Sequence, residues 1–450
     1  CVGLMFAVGC SNEVPSTPDA QRPPKTVAVQ ADTPSSRTET SIATNDSPAE
    51  VVVKTTPISE VPVSELREQA MMALQAGDDA TAYQLSRNAM KRQPDDPQTR
   101  FTYGLVLGNR KRFPEAIRML DEVATEMPAA KLPALGQTAE WMITFGMYEQ
   151  AEQRFKQVLE LVPEAAMAHS RLAELLIRQG RRLEAGPHLD ALCQSGQIDE
   201  FLLRSMLSYR APLAGDAKNR LVDPIGNLGK ARRQVALGDW PQAIETLEDS
   251  LTTDSKKSHD ALLGRCLAEH SDWTRLEKWN ERQRDTQSQD SDGWFARGVW
   301  MEHQKQDERA IDCFLNCILI DPTDDQAYRQ LAECLTREGQ TESARAVESR
   351  AGLIAKTLTL GNDFASSAVR GGAQLTEMVD TLAALRRFDE ALAWRQLQVD
   401  YALEFGALDA KQAAQIRGEL DAERKRLLGE GQFRRDDAFI TCGLKLTTQK

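Results

Sequence analysis

One spacing limits what this chain can fold into more than any other feature. Gly298, Ala310, Phe314 and Pro322 follow one another at gaps of twelve, four and eight residues. The same gaps separate Gly104, Ala116, Leu120 and Pro128, and again Ala139, Ala151, Phe155 and Pro163. Ala70, Ala82 and Pro94 keep the frame with Ser86 in the large slot. Partial copies start at Ala173, Ala231, Gly264, Ala332 and Val379, the last the most degenerate. First markers at 70, 104, 139 and 173 lie 34 or 35 residues apart, and those at 231, 264, 298 and 332 lie 33 or 34 apart.

The spacing has a packing explanation. Each copy reads as two helical patterns of about fourteen residues joined by a turn. Small residues at 298 and 310 let two backbones approach, and Phe314 fills the space beside them. Pro322 cannot continue a helix and resets the chain for the next copy. Turns such as Gly77-Asp78, Gly146-Met147-Tyr148 and Gly238-Asp239-Trp240 fit between the two helices. One helix pair cannot bury its apolar face alone, but a stack of pairs can.

Period and markers together resemble the tetratricopeptide repeat family over most of residues 63–405. The resemblance implies an all-α fold, a right-handed α-solenoid of helix-turn-helix repeats behind a disordered N-terminal linker. It also implies a concave face lined by the first helix of each pair, which takes an extended or helical protein segment. The positions implied to line that face are Arg67 and Met71, Phe101 and Leu105, Glu140, Glu174, Arg232, Phe295 and Val299, and Arg329 and Glu333. The basic and amide set with which one class of these repeats clamps a peptide carboxylate is missing here. The implied role is therefore a non-catalytic scaffold or adaptor with an unidentified protein or peptide partner. The alternatives are the repeat arm of a larger multidomain protein or enzyme, and a cytoplasmic repeat scaffold.

The organisation follows from where the pattern starts and breaks. Residue 1 is Cys rather than Met, and residues 1–10 read as the end of a signal peptide. Ala7-Val8-Gly9-Cys10 resembles the bacterial lipobox, with Ala where Leu is usual, which makes Cys10 the expected lipidation site. Residues 11–62 hold eight prolines, fifteen Ser or Thr and no aromatic residue, so they are expected to be a disordered linker. About four repeats occupy 63–199 and about four more 224–358, with a degenerate copy in 359–405. The breaks at 200–223 and 358–371 are each expected to be an extra helix or a hinge. Residues 406–450 read as a polar amphipathic capping helix and a tail. The anchor predicts an extracytoplasmic lipoprotein on the periplasmic face of a membrane, with the cytoplasm as the second choice.

Chemical motifs are sparse. A nucleophile elbow, HExxH and the Rossmann glycine fingerprint are missing, and Gly226–Lys230 lacks the spacing of a phosphate loop. Cys313 and Cys317, and Cys266 and His270, have a ligand-like spacing of four, but they fall in different repeats and the first pair occupies packing slots. The sequence therefore predicts no cofactor, metal or catalytic residue. A net charge of −12 argues against nucleic acid or an anionic membrane as a general partner, leaving the lipid as the only membrane contact.

Overall fold

The computed structural model describes residues 60–210, 223–251, 257–283, 290–366 and 372–446. Cys10 and nearly all of the expected linker lie outside them. The described residues form helices and turns, with no strand among them. The chain divides into two compact units, residues 1–131 and 132–450.

In the first unit two pairs are described: α1 (Val63–Gln75) with α2 (Asp79–Arg92), and α3 (Pro97–Asn109) with α4 (Phe113–Glu126). The ends are written into the sequence. Asp78 and Asp96 accept the Thr81 and Thr99 amides as N-caps, and Pro97 sits at the first position of α3, where no amide is needed. Gly104 is a contact residue, as the spacing requires. A Cβ placed there would lie 2.9 Å from the Leu120 side chain.

The second unit begins with α5 (Lys131–Thr144) and α6 (Tyr148–Leu161), then α7 (Ala166–Arg178), α8 (Arg182–Ser195) and the short α9 (Glu200–Met206). It continues with α10 (Gly226–Ala236), α11 (Trp240–Leu251), α12 (Lys257–Glu269), α13 (Trp273–Arg282), α14 (Ser291–His303), α15 (Asp307–Ile320) and α16 (Asp325–Arg337). The last elements are α17 (Thr341–Ser366), α18 (Gly372–Ala384), α19 (Phe388–Glu404), α20 (Ala410–Gly429) and α21 (Asp437–Ile440). A Cβ at Gly298 would lie 2.5 Å from the Phe314 ring, so this glycine is fixed by close packing. In the Gly264 copy the ring that packs on the glycine is Trp279, at 2.4 Å from the same notional atom.

The backbone carries the repeat further than the side chains do. Left-handed residues with φ of 56–81° occur at 77, 111, 146, 180, 238, 271, 305, 339 and 386. Each lies seven residues after a first marker, at 70, 104, 139, 173, 231, 264, 298, 332 and 379. Five of the nine are glycine; Lys111, Ser271, Lys305 and Arg386 hold the same turn against the steric cost of a Cβ. The degenerate copy at 379 is thus a true helix pair, α18 with α19.

The two sequence breaks differ in kind. The first holds α9, whose Leu202 and Leu203 are buried, with residues 211–222 outside the described set. In the second, residues 358–366 are the end of α17, a single helix of 26 residues, and residues 367–371 lie outside the described set. That length carries Leu360 and Phe364 to a second core shared with Leu189, Leu203, Leu382 and Trp394. Within this unit the chain thereby folds back. Arg387 donates to the Met206 carbonyl at 2.8 Å, Gln396 to the Gly196 carbonyl at 2.9 Å, and Tyr401 to Glu200 at 2.5 Å. The expected cap is α20, opened by an Asp409–Gln412 capping box and packed through Ala413 and Leu420 on Val399.

Candidate protein-binding face

The first helices of the pairs carry every residue expected to line the recognition face, and most of its charges are already paired. In the first unit Arg67 donates to Asp96 at 2.5 Å and to Gln98 at 2.7 Å. Burial opposes ionisation of Asp96, but hydrogen bonds from Thr99 and the Arg67 charge outweigh it and hold the carboxyl below its usual range. Met71, Phe101 and Leu105 are half-buried.

In the second unit Glu140 accepts from Arg171 Nε at 2.8 Å, and Arg171 also reaches Glu174 at 3.2 Å. Burial pushes the Glu140 carboxyl up, with Arg171 opposing. Arg232 binds Asp292 in the first turn of α14. Arg329 lies 3.7 Å from Asp325, which itself takes Arg210 at 2.9 Å. Val299 is half-buried against the core and Glu333 is exposed. Phe295 corrects the sequence reading. It is 2% exposed and packs edge-on against Phe314 at 5.9 Å, so it belongs to the core and is not available as a surface anchor.

The centre of this unit is a charge network that the sequence reading passed over. Arg265 lies between the Tyr209 and Phe295 rings, 4.0 Å from each centroid. It donates to Asp324 at 2.5 and 3.1 Å and to Asp292 at 3.3 Å. Asp324 also caps α16 through the Ala327 amide. Arg182 binds Asp321, and Asp321 in turn accepts from Thr323. Burial opposes the charge on Asp321 and Asp292, but Arg182 in one case and Arg232 with Arg265 in the other keep each carboxyl low. Asp290 shows the opposite balance: burial and the neighbouring Asp292 raise it to about 6, against Arg232. A signal for this network existed. Arg265 follows the first marker of its copy as Arg232 does in its own, and Asp96, Asp290 and Asp324 each precede a first marker by eight residues.

Beside the network lies a cleft of about 450 Å³. Arg181, Arg182 and Arg232 line it with Glu184, Asp290, Asp292 and Asp321, and Leu183, Ala236 and Ser258 supply smaller surfaces. Tyr209 also lines it, and its buried hydroxyl makes no hydrogen bond with any described residue. Burial raises that hydroxyl well above the usual phenol range, so it stays protonated and needs an acceptor. The cleft therefore gathers charges of both signs within one concavity, with the Tyr209 phenol buried in its wall.

Among the described residues no group of three or more His, Cys, Asp or Glu is placed to hold an ion. Cys266 and Cys313 are buried thiols, each pushed up to about 12 by burial first. No helix among the described residues is long and apolar enough to cross a membrane.

Residues 144–198, from the end of α5 through α8, match the tetratricopeptide repeat family model. A comparison with curated protein sequences gives no match. Similar solved structures include a tetratricopeptide repeat protein from Parabacteroides merdae, 14% identical, covering 61% of this chain and 98% of that one at a TM-score of 0.29. The Cut9–Hcn1 hetero-tetramer of the APC/C is 13% identical over 83% of this chain and 80% of that chain, also at 0.29. The Naa15/Naa10 complex bound to HypK-THB is 13% identical over 84% of this chain and 64% of that chain, at 0.26.

Proposed function

We propose that this chain is a non-catalytic protein-binding scaffold, held by lipid on Cys10 at the extracytoplasmic face of a membrane, that receives a partner's peptide segment in the cleft of the second unit. The observation that carries the reading is the cleft itself, a concavity walled by charges of both signs around the buried Tyr209 phenol, whose hydroxyl makes no hydrogen bond with any described residue. A peptide's charged side chains complement the Arg181 and Asp290 walls of the cleft. The tetratricopeptide repeat match at 144–198, which includes part of this wall, supports the same reading. The Arg–Asp pairs hold the first helices in register, so the face is pre-formed and binding costs little reordering.

The test uses cleft-filling variants that leave the ion network in place. Ser258→Trp and Ala236→Arg are expected to abolish partner retention on the immobilised chain while the helical signal and melting temperature stay near wild type. Full retention by both well-folded variants would overturn the reading.

A further inference from the structure

The segment after α20 is seated on the second unit in a manner distinct from helix packing. Asp436 caps the four-residue α21 through the Phe439 amide and takes Arg386 at 2.9 Å. The Phe439 ring lies 4.1 Å from the Arg386 guanidinium and 4.6 Å from that of Arg350. Ile440 is buried in the main core, and its carbonyl accepts from the fully buried Tyr328 hydroxyl at 2.9 Å. Arg350 Nε donates to that same hydroxyl at 2.9 Å, which orients the Tyr328 proton toward the Ile440 carbonyl.

These contacts have the form of short-peptide recognition. Few residues carry them: an acidic cap, a ring three residues on and an aliphatic side chain at the fourth, with a main-chain carbonyl as the hydrogen-bond acceptor. From 434 to 438 the segment is exposed, and only Ile440 and Thr441 are buried. It joins α20 through a turn at Gly431, whose φ of 71° suits glycine. The receiving side chains come from three other elements. Tyr328 on α16 and Arg350 on α17 are held by their own helix pair, and Arg386 sits in the left-handed turn between α18 and α19.

We infer that Tyr328, Arg350 and Arg386 form a peptide-recognition site, and that residues 436–444 of this chain are its resident, exchangeable ligand. The site reads an acidic–x–x–aromatic–aliphatic turn. It is separate from the Tyr209 cleft and does not depend on the role proposed for it.

The experiment inserts a protease site between Gly431 and Arg434 in the otherwise intact chain. After cleavage, a fluorescent peptide of residues 434–446 is added and its anisotropy followed. The expected result is saturable binding, competed by unlabelled peptide and weakened at least about tenfold by Phe439→Ala or Ile440→Ala in the peptide. Tyr328→Phe in the protein is expected to weaken the peptide several-fold in the cleaved protein while the helical signal holds. A concentration-dependent dimer of the uncleaved chain, abolished by Ile440→Ala, would equally support the site, because a second copy then supplies the segment in trans. A cut segment that never exchanges, a peptide that binds regardless of residues 439 and 440, or a cleaved protein that unfolds would each overturn the inference by making the segment ordinary core.

Discussion

Arg265 and Asp324 form a fully buried, two-pronged ion pair between α12 and the cap of α16, 59 residues apart in sequence. The pair joins two first helices with a third between them, because Arg265 also reaches Asp292 at the start of α14. Removing one partner strands charge in the interior, so Arg265→Ala should cost about 3–5 kcal/mol. Urea denaturation monitored by circular dichroism measures this. A loss below about 1 kcal/mol, the scale of an exposed pair, would show that the network does not hold the repeats in register.

The left-handed turn yields a prediction of opposite sign at two equivalent positions. Lys305 is exposed and holds φ at 59° with a Cβ, whereas Gly339 holds 76° without one. Lys305→Gly should stabilise by about 0.5–1 kcal/mol, and Gly339→Ala should destabilise by about 1–2 kcal/mol. Both are read as shifts in the denaturation midpoint. Equal effects of the same sign would refute the shared turn geometry.

His188 gives a pH dependence with a definite direction. His169 Nε2 donates to the Pro163 carbonyl at 2.8 Å, and the Nδ1 atoms of His169 and His188 lie 2.9 Å apart. Burial first, then His169 and Lys156, lower His188 to about 4, with Glu152 opposing. The folded value lies below the unfolded one, so the unfolded chain binds more protons between them. Stability is then fully present above about 6.5 and is lost as pH falls toward 4. Melting temperatures across that window should fall less steeply for His188→Gln than for wild type. Parallel curves would exclude this histidine as a contributor.

The anchor is tested in the cell. With Cys10→Ala in the full-length gene, the protein should move from the membrane fraction to the soluble fraction, and labelled fatty acid should enter wild type only. Unchanged membrane fractionation without fatty acid in the wild type would remove the lipid from the account.

Much of the fold was legible because it rests on contacts local in sequence. Gly104 against Leu120 and Gly298 against Phe314 are spacings within one helix pair, and such spacings survive in a single chain. The turn was less legible where Lys111, Ser271, Lys305 and Arg386 replace glycine, since neighbouring packing imposes the φ that the residue type does not advertise. The fold-back was illegible. Leu207 against Gly361, and Arg387 on the Met206 carbonyl, join segments about 150–180 residues apart, and nothing local to either marks them as partners. The face residues were found as positions but not as states. A repeat frame shows that Arg232 and Phe295 lie on first helices, but their burial depends on Asp292, Arg265 and Tyr209 arriving from other pairs.

The most direct test of the protein-binding cleft is photo-crosslinking in the native cell, with a benzophenone side chain at Leu183 on the cleft rim and, as control, at the exposed Leu428. A reproducible protein adduct is expected from position 183, with none from position 428 and loss of the adduct when Ser258→Trp fills the cleft. Equal adducts from both positions, or an adduct at 183 that persists with the cleft filled, would contradict binding in the cleft.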